Sequence, residues 1–259
     1  MRHDFIDKYS RGDTFVHKLD ARIKLVGAAL LLASAVTTPG DNVPVFVLLG
    51  ILPIGVCLLA RVPLSHLFRK TVIVLPFLLL LGPFLLLSHK QAVTFEPDMG
   101  ARTLQVSREG LALFVEVASK TLVTVLTTIT LVSTTPFDGL LRGLQSMRCP
   151  RIITTLLSFM YRYVFLLVDE GERMIVARDS RAVHMRPWHW IRSMGHLASA
   201  LFFRTFERGE RIYCAMMSRG FTGAVRTVNV PKLVRTDVIA LLVLVIYVAS
   251  VRWLGRFYG

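Results

Sequence analysis

Apolar residues in this chain collect into long runs separated by polar stretches. The runs cover residues 25–36, 43–60, 72–87, 111–132 and 238–251. None alternates with a period of two, so each predicts a helix rather than a barrel strand. A bilayer takes roughly 20 apolar helical residues to cross, or about 17 when flanking side chains snorkel. The pattern therefore predicts about five transmembrane helices, the run at 25–36 being the shortest. Ala33-Ser34-Ala35 looks like a signal cleavage site, yet a mixed-charge stretch precedes the run and further spans follow it, so it reads as a retained first span. Pro76, Gly82 and Pro83 in the third run predict a kink without a break.

Two further stretches are amphipathic. The apolar segment 152–168 is interrupted by Tyr161-Arg162-Tyr163. In 202–216, Phe202, Phe206, Gly209, Tyr213 and Met216 share one helical stripe opposite Arg204, Arg208 and Arg211. Such helices suit lying along the inner membrane face or packing beneath the spans, held there by the aromatic stripe. The expected fold class is an all-α integral membrane protein: an N-terminal membrane domain of four spans (1–135), a cytoplasmic domain of amphipathic helices (136–237) and a C-terminal transmembrane helix (238–259).

Composition agrees. Hydrophobic residues make up 53% of the chain and mean hydropathy is +0.56, more than a soluble domain with a polar surface carries. The formal charge of +14 has nucleic acid, lipid phosphate or an acidic protein as candidate partners. No basic stretch interleaves with base-stacking aromatics in a soluble module, which argues against nucleic acid. The lipid bilayer accounts for much of the charge, because cytoplasmic loops collect Lys and Arg. Lys8, Arg11, Lys18, Arg22 and Lys24 place the N-terminus inside, and Arg61, Arg69 and Lys70 place the second loop there too. The segment 136–237 carries sixteen Arg and Lys and is likewise inside. The expected location is the bacterial inner (cytoplasmic) membrane, multi-pass.

Candidate chemistry is sparse. Cys57, Cys149 and Cys214 have no C-x-x-C spacing, so neither a disulfide framework nor a thiolate metal site is expected. His184, His189 and His196 are spaced by five and seven around Pro187, which does not put three ligands on one helix face. Glu116 and Lys120 stand at i, i+4 near the outer end of the fourth span, as a pathway pair or a helix pair reaching the headgroups. There is no G-x-x-x-x-G-K-[ST] phosphate loop, so the chain is not itself an ATPase motor. No cofactor and no catalytic residue is expected.

The informative feature is a repeat. Gly171-Glu172-Arg173-Met174-Ile175-Val176-Ala177-Arg178-Asp179-Ser180-Arg181-Ala182 returns as Gly209-Glu210-Arg211-Ile212-Tyr213-Cys214-Ala215-Met216-Met217-Ser218-Arg219-Gly220. The flanking pairs Asp169/Arg173 and Glu207/Arg211 repeat as well. The pattern predicts two similar helices, each ending in Ser-Arg and a small residue. Gly220 is a natural C-terminal stop, and Pro187 follows soon after Ala182. An Arg in a last turn suits the helix dipole and leaves a planar fork of donors that binds carboxylates bidentately. Arg178, whose counterpart is Met216, is expected to tolerate Ala better than Arg181 or Arg219.

Beside this repeat, His17-Lys18-Leu19-Asp20-Ala21-Arg22-Ile23-Lys24-Leu25, Thr134-Thr135-Pro136-Phe137, Tyr161-Arg162-Tyr163 and Ser218-Arg219-Gly220-Phe221 carry a resemblance. Nearly the whole chain resembles the T component (EcfT) of energy-coupling-factor transporters, specifically the CbiQ type of cobalt uptake systems. Ala21 stands where the family's opening motif has Pro. The resemblance implies that Ala177, Ser180, Arg181, Ala182, Ala215, Ser218, Arg219 and Gly220 carry the family's two Ala-Arg-Gly-like motifs, which end coupling helices. It implies docking to two ABC ATPase subunits (CbiO-like), with a CbiM-like substrate-binding membrane subunit and a small accessory membrane subunit. The implied function is a non-enzymatic transmembrane coupling subunit for import of cobalt or nickel. An integral membrane enzyme and a stand-alone ion permease are the alternatives.

Overall fold

The structure is a computed structural model that describes residues 10, 12, 14–40, 42–88, 108–181, 187–223 and 234–258. They form ten helices and no strand among the described residues: α1 (Phe15–Lys18), α2 (Ala21–Thr37), α3 (Val43–Leu59), α4 (Leu64–Val72), α5 (Leu75–Ser88), α6 (Arg108–Thr134), α7 (Phe137–Ser146), α8 (Arg151–Asp179), α9 (Pro187–Ser218) and α10 (Arg235–Tyr258). The chain divides into two compact units, one built from residues 144–230 and the other from 4–143 with 231–259.

In the larger unit α6 is the hub, with α2, α3, α4 and α5 packed against it and α10 closing on α2 and α3. Its sequence explains the role. Thr127, Thr130 and Thr134 are buried, and each hydroxyl donates to the carbonyl four residues back at 2.7–2.8 Å. Side chains that small, with their polarity returned to their own helix, let neighbouring backbones approach closely. Leu31, Ala35, Val45, Phe46, Leu49, Val123, Val248 and Val251 fill the centre. A second cluster of Val16, Cys57, Ala60, Val62, Leu67 and Ile129 lies around the loop after α3.

The exterior is apolar where a soluble protein would be polar. Leu59, Phe68, Ile73 and Leu80 are 70–77% exposed. Lipid makes such a surface stable, because acyl tails are as apolar as the side chains they meet. By length and composition, four stretches among the described residues can cross a membrane: Leu64–Pro83 (running through the turn between α4 and α5), Gly110–Thr134, Arg151–Asp179 and Arg235–Arg256, with Val43–Leu59 shorter. The chain is an all-α multi-pass membrane protein. The third expected span departs from its predicted form. The helix stops at Val72 and restarts at Leu75, so Pro76 sits in the first turn of α5, where its missing N–H costs nothing. Pro83 lies inside α5 without breaking it.

The two ends of the bundle are chemically distinct. At one end Gly40 lies against the Glu116 carboxylate, and Asn42 Nδ2 donates to Gly255 O at 3.1 Å. The Glu116–Lys120 pair forms there, at 2.6 Å. At the other end lie the start of α2, the end of α6 and the start of α10, joined by polar contacts from Asp20, Lys24 and Asp237.

Candidate coupling site

The repeated segments form the last turns of α8 and α9, within the smaller unit. Ser180 Oγ donates to Val176 O at 2.8 Å, and Ser218 Oγ donates to Cys214 O at 3.0 Å. Each hydroxyl is folded back onto its own helix, so the serine presents little more than an alanine would. Ala177 and Ala215 stand four residues before Arg181 and Arg219, on the same helix face. All four are exposed. Small residues beneath each arginine leave its guanidinium uncovered on that face.

The second tip is closed by a left-handed glycine. Gly220 has φ +76°, its N–H donates to Met217 O at 3.0 Å, and the Phe221 N–H donates to Met216 O at 3.1 Å. This pair of bonds is the Schellman closure, with Arg219 as the last residue before the reversal. Phe221 then packs on Phe159 of α8, ring centroids 6.2 Å apart. At the first tip Ser180 keeps helical dihedrals, and the Arg181 N–H donates to Arg178 O at 3.0 Å. Ala182 and His184 lie outside the described residues, while His189 and His196 are exposed on α9.

Contacts between α8 and α9 run in opposite order along the two helices. Arg178 meets Trp190, Glu170 meets Arg204 and Phe159 meets Phe221. The helices are therefore antiparallel, and the two arginines sit at opposite ends of the pair. Phe159, beside the second tip, precedes Arg181 by enough helix to separate the tips by about 30 Å at 1.5 Å per residue. Among the described residues neither Arg181 nor Arg219 bonds a carboxylate, whereas Arg178 and Arg204 both do. Within the described part of the chain both tip guanidinium forks are left without an acidic partner.

Arg178, unlike the two tip arginines, is packed against its own unit. Its Nε and Nη2 donate to Asp179 Oδ1 at 2.9 and 2.6 Å, and its guanidinium lies 5.8 Å from the Trp190 ring centroid. Only 13% of its side chain is exposed. It braces the end of α8 against the start of α9, a contact for which residue spacing gives no signal. The aromatic stripe of α9 is left uncovered by α8. α9 has no buried residue, and Phe206 is 58% exposed, stacked on Phe202 with centroids 6.5 Å apart. The stripe is exposed because α9 turns another face, through Leu201 and its neighbours, to α8. Between the helices, Glu170, Arg204, Glu207, Arg208 and Arg211 line an open groove of about 620 Å³. Glu170 bridges to Arg204 at 2.8 Å, while the expected Glu207/Arg211 pair is not closed.

Residues 12–231 match the CbiQ family, described as cobalt transport protein. The chain is 29% identical over 248 residues to the energy-coupling factor transporter transmembrane protein EcfT of Bacillus subtilis, covering 89% of each chain. It is 31% identical over 99 residues to the cobalt transport protein CbiQ of Rhodobacter capsulatus, covering 38% of this chain and 41% of that one. Over 125 residues it is 34% identical to a putative fused cobalt transport protein, CbiMQ, of Methanocorpusculum labreanum, covering 48% of this chain and 21% of the fusion. A match over most of the chain, on an all-helical membrane fold, leaves no place for the membrane-enzyme reading. The chain belongs to the CbiQ family of cobalt transport proteins, and is a transmembrane component of a transporter rather than an enzyme.

Proposed function

We propose that this chain is the coupling subunit of an energy-coupling-factor importer for a divalent transition metal ion, cobalt first and nickel as the alternative cargo. In this reading residues 136–237 form a cytoplasmic coupling domain between the membrane domain 1–135 and the final helix 238–259. The N-terminus is inside, in the bacterial cytoplasmic membrane, as the Lys and Arg bias supports. The observation that carries the proposal is the presentation of Arg181 and Arg219. They are two exposed donor forks without a carboxylate partner among the described residues, at opposite ends of an antiparallel helix pair.

Two equivalent tips suit two ATPase subunits, each offering an acidic groove to one arginine. ATP binding and hydrolysis move those subunits, and the rigid helix pair carries the motion to a substrate-binding membrane subunit. A relative named as a CbiMQ fusion supports a CbiM-like partner for that role. Breaking a desolvated Arg–carboxylate pair by removing one partner costs about 3–5 kcal/mol, against about 0–1 for a solvated pair. The double variant Arg181→Glu/Arg219→Glu is expected to insert normally yet lose ATPase co-purification and ion uptake. Full assembly and full uptake in that variant remove the coupling role from both residues.

A further inference from the structure

The N-terminal motif Asp20–Lys24 has no part in the arginine tips, yet it is a densely bonded polar site in the membrane unit. Lys24 Nζ donates to His17 O at 3.2 Å and to Thr134 O, at the end of α6, at 3.0 Å. The Asp20 N–H donates to Asp237 Oδ1 at 3.2 Å, and the other oxygen of Asp237 accepts from the Val234 N–H at 3.0 Å. Asp20 Oδ1 accepts from the Arg22 N–H at 3.0 Å, and Oδ2 lies 3.9 Å from Arg22 Nε. Asp20 and Asp237 are 8% and 5% exposed. Gly143 is pressed on the same turn of α2, where an added Cβ would stand 2.9 Å from Leu25 Cδ1 and 3.4 Å from the Ala21 carbonyl carbon.

The places held here are not arbitrary. The chain leaves the membrane unit after Thr134 and Gly143, and returns to it before Asp237. Residues 144–230, between those points, carry both arginine tips. Among the described residues that unit's backbone joins the bundle at these two connections, and one turn of α2 fastens both. Buried charges are poor stabilisers, since apolar packing does as well or better. Charge-assisted hydrogen bonds are directional, however, and hold a register where apolar surfaces slide.

We propose that Asp20, Lys24 and Asp237 are positioning residues: an anchor on α2 that fixes both connections of the coupling unit, so that motion imposed at Arg181 and Arg219 reaches the membrane bundle. The proposal rests on the coupling reading above. Its loss is a slipping clutch, with ATP hydrolysed and no ion moved.

The test uses the complete transporter in proteoliposomes, with ATP hydrolysis and radioactive cobalt uptake read from the same sample. Lys24→Met and Asp237→Asn are expected to assemble with their partners in normal yield and to keep hydrolysis within about twofold. Uptake should fall about tenfold, near the upper range of what residues along a coupling network contribute. The ATP consumed per ion therefore rises about tenfold. Lys24→Arg, which can still reach two carbonyls, should restore most uptake. An unchanged ATP-to-ion ratio overturns the anchor, whether uptake stays normal or falls only in step with the yield of complex. Where Lys24→Met accumulates poorly, Asp237→Asn and Lys24→Arg decide on the same ratio. The Arg181→Glu/Arg219→Glu variant separates the two ideas. Failure of the coupling reading shows as intact assembly in that variant, and failure of the anchor alone as lost assembly there beside normal ratios here.

Discussion

Gly220→Ala isolates the backbone at the second arginine tip. At φ +76° an L side chain is strained, and no atom lies within 4 Å of the added Cβ, so contact contributes nothing. The cost is that of one left-handed non-glycine residue, about 1–2 kcal/mol. The same exchange at Gly209 makes the comparison sharp. That position is also open for 4 Å around, but it lies inside α9 with helical backbone. There Ala should stabilise the helix by about 1 kcal/mol, because it removes unfolded-state entropy and fits the native dihedrals. One chemical change thus has opposite signs at two sites of one repeat. A loss of 1–2 kcal/mol raises the local opening equilibrium roughly 5–30-fold. Hydrogen exchange reads it directly at the amides of Gly220 (there Ala) and Phe221, which donate to Met217 O and Met216 O. Exchange at these two amides should accelerate in Gly220→Ala and slow or hold in Gly209→Ala, with uptake reduced only in the first. Unchanged protection in Gly220→Ala, or equal loss in both variants, refutes the account of this tip.

Leu49→Ala, at a fully buried position of the bundle core, should cost about 2–5 kcal/mol and lower the denaturation midpoint in detergent. Arg178→Ala removes the brace between α8 and α9. It should cost about 1 kcal/mol in lost stacking and raise protease cleavage in the connection between the helices, whereas Phe206→Ala leaves that cleavage unchanged. In a background without Cys57, Cys149 and Cys214, a cysteine at Gly40 should react with an impermeant maleimide added to intact cells. One at Gly223 should react only after permeabilisation, and the opposite pattern inverts the proposed orientation.

The hydrophobic pattern by itself determined that this is a helical membrane protein and roughly where its helices run. A continuous apolar run is a local property, and lipid supplies the same solvent all around it, so little tertiary information is needed. The repeat likewise placed two arginines at helix ends, because Gly220 and Pro187 are local stop signals. What the sequence withheld depends on which faces meet. Antiparallel packing of α8 and α9, which sends Arg181 and Arg219 to opposite ends, emerges only from contacts such as Phe159–Phe221 and Arg178–Trp190. The stripe through Phe206 has an amphipathic period, but period does not say which face a neighbouring helix will choose. Asp20 and Asp237 are 217 residues apart in the chain, and nothing local to either announces the other. Their meeting is decided by the bundle, which must bring the start of α10 beside the start of α2 before either carboxylate finds its donors.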